Sequence, residues 1–205
     1  MTAYDVKKSL RALYAPPTEL TEVVVPPMRA LAVDGHGDPN TSPGYAEAIE
    51  ALYATAYAIK FARKQAGRDL VVAPLEGLWR ADDPSAFVRR DKSAWDWTML
   101  ITPPDDVTDE EVAAAVDAVA AKRARSAPLP ALTKVRLHLL DEGRCVQILH
   151  LGSYDDESPT LRRLHEEYLP AHGLVPAGDH HEIYLSDARR TAADKLRTVL
   201  RQPVR

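Results

Sequence analysis

The sequence predicts an α+β fold. It comprises duplicated strand-helix-strand-strand halves related by a pseudo-twofold, with antiparallel sheets, helices packed outside and a central ligand cleft. Three observations predict it. Segments such as Trp95-Asp-Trp-Thr-Met-Leu-Ile101 and His180-His-Glu-Ile-Tyr-Leu185 alternate in period two, the repeat of a strand with two unlike faces. Long stretches of helical period separate these segments. Ser-Pro pairs at 42–43 and 158–159, 116 residues apart (158 minus 42), each follow a strand and a glycine and each lead through a helix to a strand that carries a glutamate, Glu76 or Glu182.

The elements follow in order. Tyr4, Leu10, Leu13 and Tyr14 among charges, before Pro16-Pro17, predict a short amphipathic helix stopped by the prolines, an N-terminal extension over 1–17. Residues 23–25 and 29–33 read as extended around Pro26-Pro27, and Asp34-Gly-His-Gly-Asp-Pro-Asn40 is a loop of turn formers. Ser42 serves as N-cap and Pro43 as first residue of a long helix to residue 64. Ile49, Leu52, Ala56 and Ile59 form its apolar stripe, overlapped by the aromatic row Tyr45, Tyr53, Tyr57. The strands over 70–80 and 95–101 predict a hairpin across a polar turn at 81–93. Thr108-Asp-Glu-Glu111 is a capping box, and the helix it opens ends near Lys122-Arg123. Residues 135–140 and 145–151, joined by Asp141-Glu142-Gly143, predict a tight hairpin. Ser158-Pro159 opens a third helix, closed by Gly173, and residues 195–201 supply a last strand. The chain reads as one domain over 1–205, with pseudo-repeats at about 20–125 and 130–205.

Composition narrows the function. Of 205 residues 45% are apolar and the net charge is −4. A chain without a basic excess is poorly suited to nucleic acid. No apolar run spans a bilayer, and the N-terminus lacks the apolar core of a signal peptide, so no membrane partner and a cytoplasmic location are expected. The one cysteine, Cys145, lies in an apolar strand and reads as a buried, inert thiol. His180-His181-Glu182 does not read as a metal site, because neighbours in a strand point to opposite faces. No phosphate loop, Rossmann fingerprint or nucleophile elbow is present, and no cofactor is expected.

Several segments together resemble the GyrI-like small-molecule-binding family, related to effector-binding domains of AraC-type and MerR-type multidrug regulators. They include Tyr4-Asp-Val-Lys-Lys8, Val25-Pro-Pro-Met28, Asp34–Asn40, Ala48-Ile-Glu-Ala-Leu-Tyr53, Ala56–Phe61, Pro74-Leu-Glu-Gly-Leu-Trp79, Trp95-Asp-Trp97, Glu182-Ile-Tyr184 and Lys195–Arg201. The resemblance covers nearly all of the chain and implies a stand-alone form. The family often has a second aromatic after the residue matched by Trp79; here Arg80 follows. The resemblance implies an aromatic cleft with an acidic base that binds flat, apolar, often cationic xenobiotics, drugs and dyes. Some relatives hydrolyse cyclopropane-bearing DNA-alkylating natural products, and the family name derives from a gyrase-modulating member, so hydrolase and protein-interaction module are the alternatives to a binding protein.

On that basis Glu182 is expected to be the central acid and Glu76 its partner, with Trp79, Trp95, Trp97, Tyr184, Tyr53 and Tyr57 as walls. Burial raises a carboxyl's pKa, and a flat cation offsets the cost while gaining about 0.5–2 kcal/mol on each ring face. For catalysis Glu182 would be general base towards water and Tyr184 would hold a developing oxyanion. In a regular strand Glu76 and Trp79 face opposite ways, so both reach one cleft only if a bulge at Gly77 turns the chain. The oligomeric state is not legible.

Overall fold

In the computed structural model, which describes residues 3–83, 89, 91–124 and 127–205, strands β1 (Thr21–Val25), β2 (Met28–His36), β3 (Leu75–Arg80), β4 (Asp96–Ile101), β5 (Arg136–Leu140), β6 (Gly143–Leu151), β7 (His180–Tyr184) and β8 (Arg197–Pro203) join into one eight-stranded sheet. The order is β1-β6-β8-β7-β3-β4-β2-β5, and every adjacent pair is antiparallel. The order is symmetric about the central β3–β7 pair: β5, β2, β4, β3 on one side answer β1, β6, β8, β7 on the other. The leading strands are exchanged, however. β1 pairs with β6 and β5 with β2, so neither 20–125 nor 130–205 is a self-contained half.

The expected 135–151 hairpin is corrected by the same pairing, since β5 and β6 are not neighbours. Only Asp141-Glu142 separates these two strands, and only Pro26-Pro27 separates β1 from β2, although each linked pair lies six places apart in the sheet. Such a link reaches about 10 Å, against about 29 Å for six strand spacings in a flat sheet. The sheet must therefore curl until its two ends meet at that corner, where Val25, Met28, Leu140 and Cys145 are all buried. The expected pairing of the segments around 70–80 and 95–101 is present as β3–β4; the intervening polar turn lies partly outside the described residues, at 84–88 and 90.

The N-terminal segment fills the curl with two short helical turns, α1 (Val6–Ser9) and α2 (Arg11–Tyr14). Val6, Leu13 and Tyr14 are buried in the main core. Helix α3 (Pro43–Gln65) packs Ala48, Leu52, Ala56 and Ile59 on that core, while Ile49 faces a cleft. Ser42 occupies its N-cap position without a side-chain cap bond; Pro43, which needs no N–H partner, begins the helix. Helix α4 (Asp109–Arg123) has the expected reciprocal cap, Glu111 N–H to Thr108 Oγ1 at 3.3 Å and Thr108 N–H to Glu111 Oε2 at 3.1 Å. Helix α5 begins as Ser158–Arg162, widens to a π turn over Arg163–Tyr168 and ends as Leu169–Ala171. Its Leu164 and Leu169 pack with Val146 of β6 and Val204 in a second, smaller core.

Candidate functional site

The β3–β7 register decides which side chains meet. Leu75 lies opposite Tyr184, Gly77 opposite Glu182 and Trp79 opposite His180. Directly opposed residues share a face, so Glu182, Tyr184, Trp79 and His180 project together. Above them a cleft of about 2160 Å³ opens between α3 and the start of α5. Tyr45, Ile49, Tyr53 and Tyr57 of α3 form one wall; Glu157, Leu161 and His165 line the other.

The aromatic floor is hydrogen-bonded to its acid. The Trp79 indole N–H donates to Tyr184 Oη at 3.1 Å, and the Tyr184 hydroxyl donates to Glu182 Oε2 at 2.7 Å. Trp95 meets Trp79 edge-on at 5.7 Å, and Tyr154 meets Tyr184 edge-on at 5.6 Å. Gly77 makes room for this arrangement. A Cβ there would lie 2.9 Å from Trp79 Nε1, so only a residue without a side chain lets the indole lie across the strand towards Tyr184.

Burial sets the charges. The Glu182 side chain is 16% exposed, and desolvation lifts its carboxyl to about 7, although the Tyr184 hydrogen bond favours the anion. A second acid faces the same space. Glu157 is 4% exposed; burial and then the charge of Glu182 push its carboxyl up to about 9. The protein supplies Glu157 Oε1 with no hydrogen-bond partner. His180 is driven down to about 3, by burial and then by the charges of His165 and His181, so its ring is neutral.

The opposite face of the same two strands holds a different cluster. His181 donates or accepts at Glu142 Oε1 (2.9 Å) and at Glu76 Oε2 (3.1 Å). Glu76 Oε1 accepts from the Tyr14 hydroxyl at 2.8 Å and from Thr102 Oγ1 at 2.9 Å. Arg201 spans Glu142, Gln147 and the Leu13 carbonyl. Burial opposes charge on His181, but Glu142 outweighs it and raises the imidazole to about 9; burial opposes charge on Glu142 too, but His181 and Arg201 hold it at about 2. His181, Glu76 and Arg201 are fully buried, and the cluster ties the N-terminal segment to the sheet.

The expected site residues divide accordingly. Glu182, Tyr184, Trp79, Trp95, Tyr53 and Tyr57 line the cleft. Glu76 does not: β3 runs through Gly77 in unbroken register, there is no bulge, and parity sends Glu76 to the back of the sheet. Trp97, opposite Trp79 and on the same face, is 2% exposed and is packed beneath Tyr45 rather than lining the cleft. Its ring covers Gly35, where a Cβ would come within 2.0 Å, and buttresses Tyr45 edge-on at 5.1 Å. Arg80 is turned to Thr98 Oγ1 (3.1 Å) and Asp179 (3.5 Å) rather than towards Glu182. Tyr45 stood out in the sequence as part of the aromatic row; Tyr154, Glu157 and His165 gave no comparable signal. Among the described residues no group of three or more His, Cys, Asp or Glu could hold a metal ion, and no helix is long and apolar enough to cross a membrane.

The GyrI-like small molecule binding domain model matches residues 18–205. A crystal structure of an uncharacterized conserved protein from Listeria innocua is 36% identical, with a TM-score of 0.89 over 98% of this chain and 100% of that one. A hydrolase encoded by lin2189 from Listeria innocua is 34% identical, with a TM-score of 0.87 over the full length of both chains. The EcmrR C-terminal domain shares the fold alone, at 10% identity and a TM-score of 0.56 over 91% of this chain and 97% of that one. No match was found among curated proteins. With a family model spanning nearly the whole sequence and full-length relatives above 30% identity, the chain belongs to the GyrI-like small-molecule-binding domain family.

Proposed function

We propose that this chain binds flat, hydrophobic small molecules, cations among them, in the cleft over β3 and β7. The observation that carries the reading is the placement of one buried carboxyl, Glu182, beneath rings from β3, β7 and α3. Holding that carboxyl near 7 rather than 4.5 corresponds to roughly 3 kcal/mol of unfavourable ionisation in the empty site. An aromatic cation relieves this cost and stacks on the walls, and neither contribution demands one ligand shape. Charge and planarity therefore select a class of compounds.

Titration with ethidium or rhodamine 6G tests this, with Trp79, Trp95 and Trp97 as reporters. Saturable quenching is expected, and Glu182→Gln is expected to weaken it at least tenfold. Because the cation favours ionised Glu182, wild-type affinity should rise from pH 6 to pH 8 and the Gln variant should lose that rise. Equal affinity in both proteins would remove the charge role.

A second reading, hydrolysis of a strained cyclopropane, is favoured by the described hydrolase at 34% identity and by a carboxyl whose proton affinity sits near neutrality, where a general base works best. Incubation with a cyclopropane-bearing alkylator, followed by mass spectrometry for added water, separates the two. Turnover beyond one equivalent that disappears in Glu182→Gln supports catalysis; stoichiometric protection alone supports sequestration.

A further inference from the structure

We infer that Lys92 is a specificity-determining residue of the cleft: its ammonium is a resident cation on the outer ring face, working against cationic ligands and favouring planar ligands that carry a carboxylate at the end left at the mouth. The inference rests on reading the cleft as a small-molecule site and adds to it the placement of the ligand's charge.

The aromatic floor has an inner and an outer end. At the inner end the Tyr184 hydroxyl bonds Glu182 and the Trp79 indole bonds Tyr184. Trp79 is buried, whereas Trp95, edge-on to it, is only partly buried. The rings therefore run outward from Glu182 to Trp95. Lys92 begins the short turn Lys92–Ala94 that leads into Trp95 and β4, and both Lys92 and Trp95 line the cleft. The turn folds the ammonium back over the indole, with Nζ 5.8 Å from the Trp95 ring centroid. That is within the range in which the negative face of a ring attracts a cation.

The same charge is felt deeper in the cleft. Against the burial that lifts the Glu182 carboxyl, and besides the Tyr184 hydrogen bond, the charges of His181 and Lys92 favour the anion. His181 is sealed behind the sheet and cannot meet a ligand; Lys92 can. Arg80, Arg123 and Arg189 also line the cleft, but each is held by a carboxylate, Asp179, Glu50 and Asp187 in turn.

The consequences follow from charge. A flat cation that stacks on Trp95 must displace the ammonium and then lie beside it, which offsets part of its gain at Glu182. A neutral ring is indifferent to the ammonium's charge. A planar carboxylate bound with its charge outward meets the ammonium directly, and its rings keep that charge away from Glu182. The cleft therefore sorts ligands by where charge sits along their length, positive inward and negative outward.

The test uses three ring systems of similar outline: N-methylacridinium, a cation; acridone, neutral; and acridone-4-carboxylate, an anion. Binding is read from the fluorescence of the ligands. Lys92→Met, which keeps an unbranched apolar stem and removes the charge, is expected to tighten N-methylacridinium about fivefold, weaken the carboxylate about fivefold and leave acridone within about twofold. Lys92→Arg should keep the wild-type order. Added salt should lower the ratio of carboxylate to acridone affinity in the wild type and leave it flat in the Met variant. Equal changes for all three probes in Lys92→Met would assign the residue to packing, and no change for any would leave its charge without a role. Either result overturns the inference and leaves the part of Glu182 in cation binding intact. If the wild type binds none of the three, the small-molecule reading fails and takes this one with it. Melting curves on both variants confirm that each is folded.

Discussion

His181 and Glu182 are neighbours in sequence and opposites in chemistry. Each is buried by the same strand, but His181 meets two carboxylates and becomes a cation, while Glu182 meets rings and another acid and tends towards neutrality. The consequence is a pH dependence whose direction follows from the shifts. Glu182 and Glu157 hold protons at about 7 and about 9, above the ordinary carboxyl value of the unfolded chain. Their stabilising contribution is complete below about pH 4.5 and is lost as pH climbs through 7 and then 9. His181, raised to about 9, is lost in the same alkaline direction; Glu142, held at about 2, acts oppositely, contributing above about pH 4.5 and failing on acidification. The melting temperature of the free protein is therefore expected to decline from pH 6 to pH 9. Glu157→Gln should flatten that decline and melt higher than wild type at pH 9. A variant with the same pH slope as wild type would show that Glu157 does not carry the shift.

At the scale of elements, the cleft depends on two glycines that make room for tryptophan rings, Trp79 lying along its own β3 and Trp97 over the neighbouring β2. Gly77 gives the Trp79 indole its path to Tyr184, and Gly35 accommodates Trp97 behind Tyr45. Filling either position forces a packed indole to move, and overpacking of this kind costs about 1–3 kcal/mol. Gly77→Val should break the Trp79–Tyr184 hydrogen bond, shift tryptophan emission to the red and weaken dye binding several-fold. Gly35→Ala should lower the melting temperature, with a smaller effect on affinity because Trp97 does not line the cleft. Denaturant melts and dye titrations on both variants distinguish the roles; equal behaviour would contradict the assignment of Trp79 to the site and Trp97 to its support.

For the whole molecule, the curled sheet closes on its own N-terminus. Residues 1–17 lie outside the family match, yet the Leu13 carbonyl accepts from Arg201, the Ala12 carbonyl from Gln147 Nε2 at 2.7 Å, and Tyr14 donates to Glu76. Removing them takes one hydrogen-bond partner each from Arg201, Gln147 and Glu76, all buried, and uncovers the core that Val6, Leu13 and Tyr14 fill. Deletion of residues 1–17 is expected to abolish cooperative unfolding. Tyr14→Phe, which removes one hydroxyl and leaves Glu76 short of a donor, should cost about 1–3 kcal/mol. Near-wild-type melting of the deletion would show that the curl closes without its plug.

Residue order alone carried the local and periodic features. Alternation placed strands at 95–101 and 180–185, Ser-Pro and Thr-x-x-Glu marked helix starts, and parity already stated that Glu76 and Trp79 could not share a face of a regular strand. Glu182, Tyr184, Trp79 and the α3 tyrosines were legible because a strand or helix period assigns a face without reference to partners. Apart from the β3–β4 pair, which strand lies beside which emerged only in three dimensions. Tertiary structure paired β5 with β2 instead of β6, exchanged the leading strands, and sent Glu76 to the back of the sheet against His181 and Tyr14. It also turned Glu157, which no motif marks, into the acid beside Glu182. The physical reason is that strand pairing and carboxyl burial are long-range: a side chain's charge is set by neighbours a hundred residues away, and no local pattern encodes that environment.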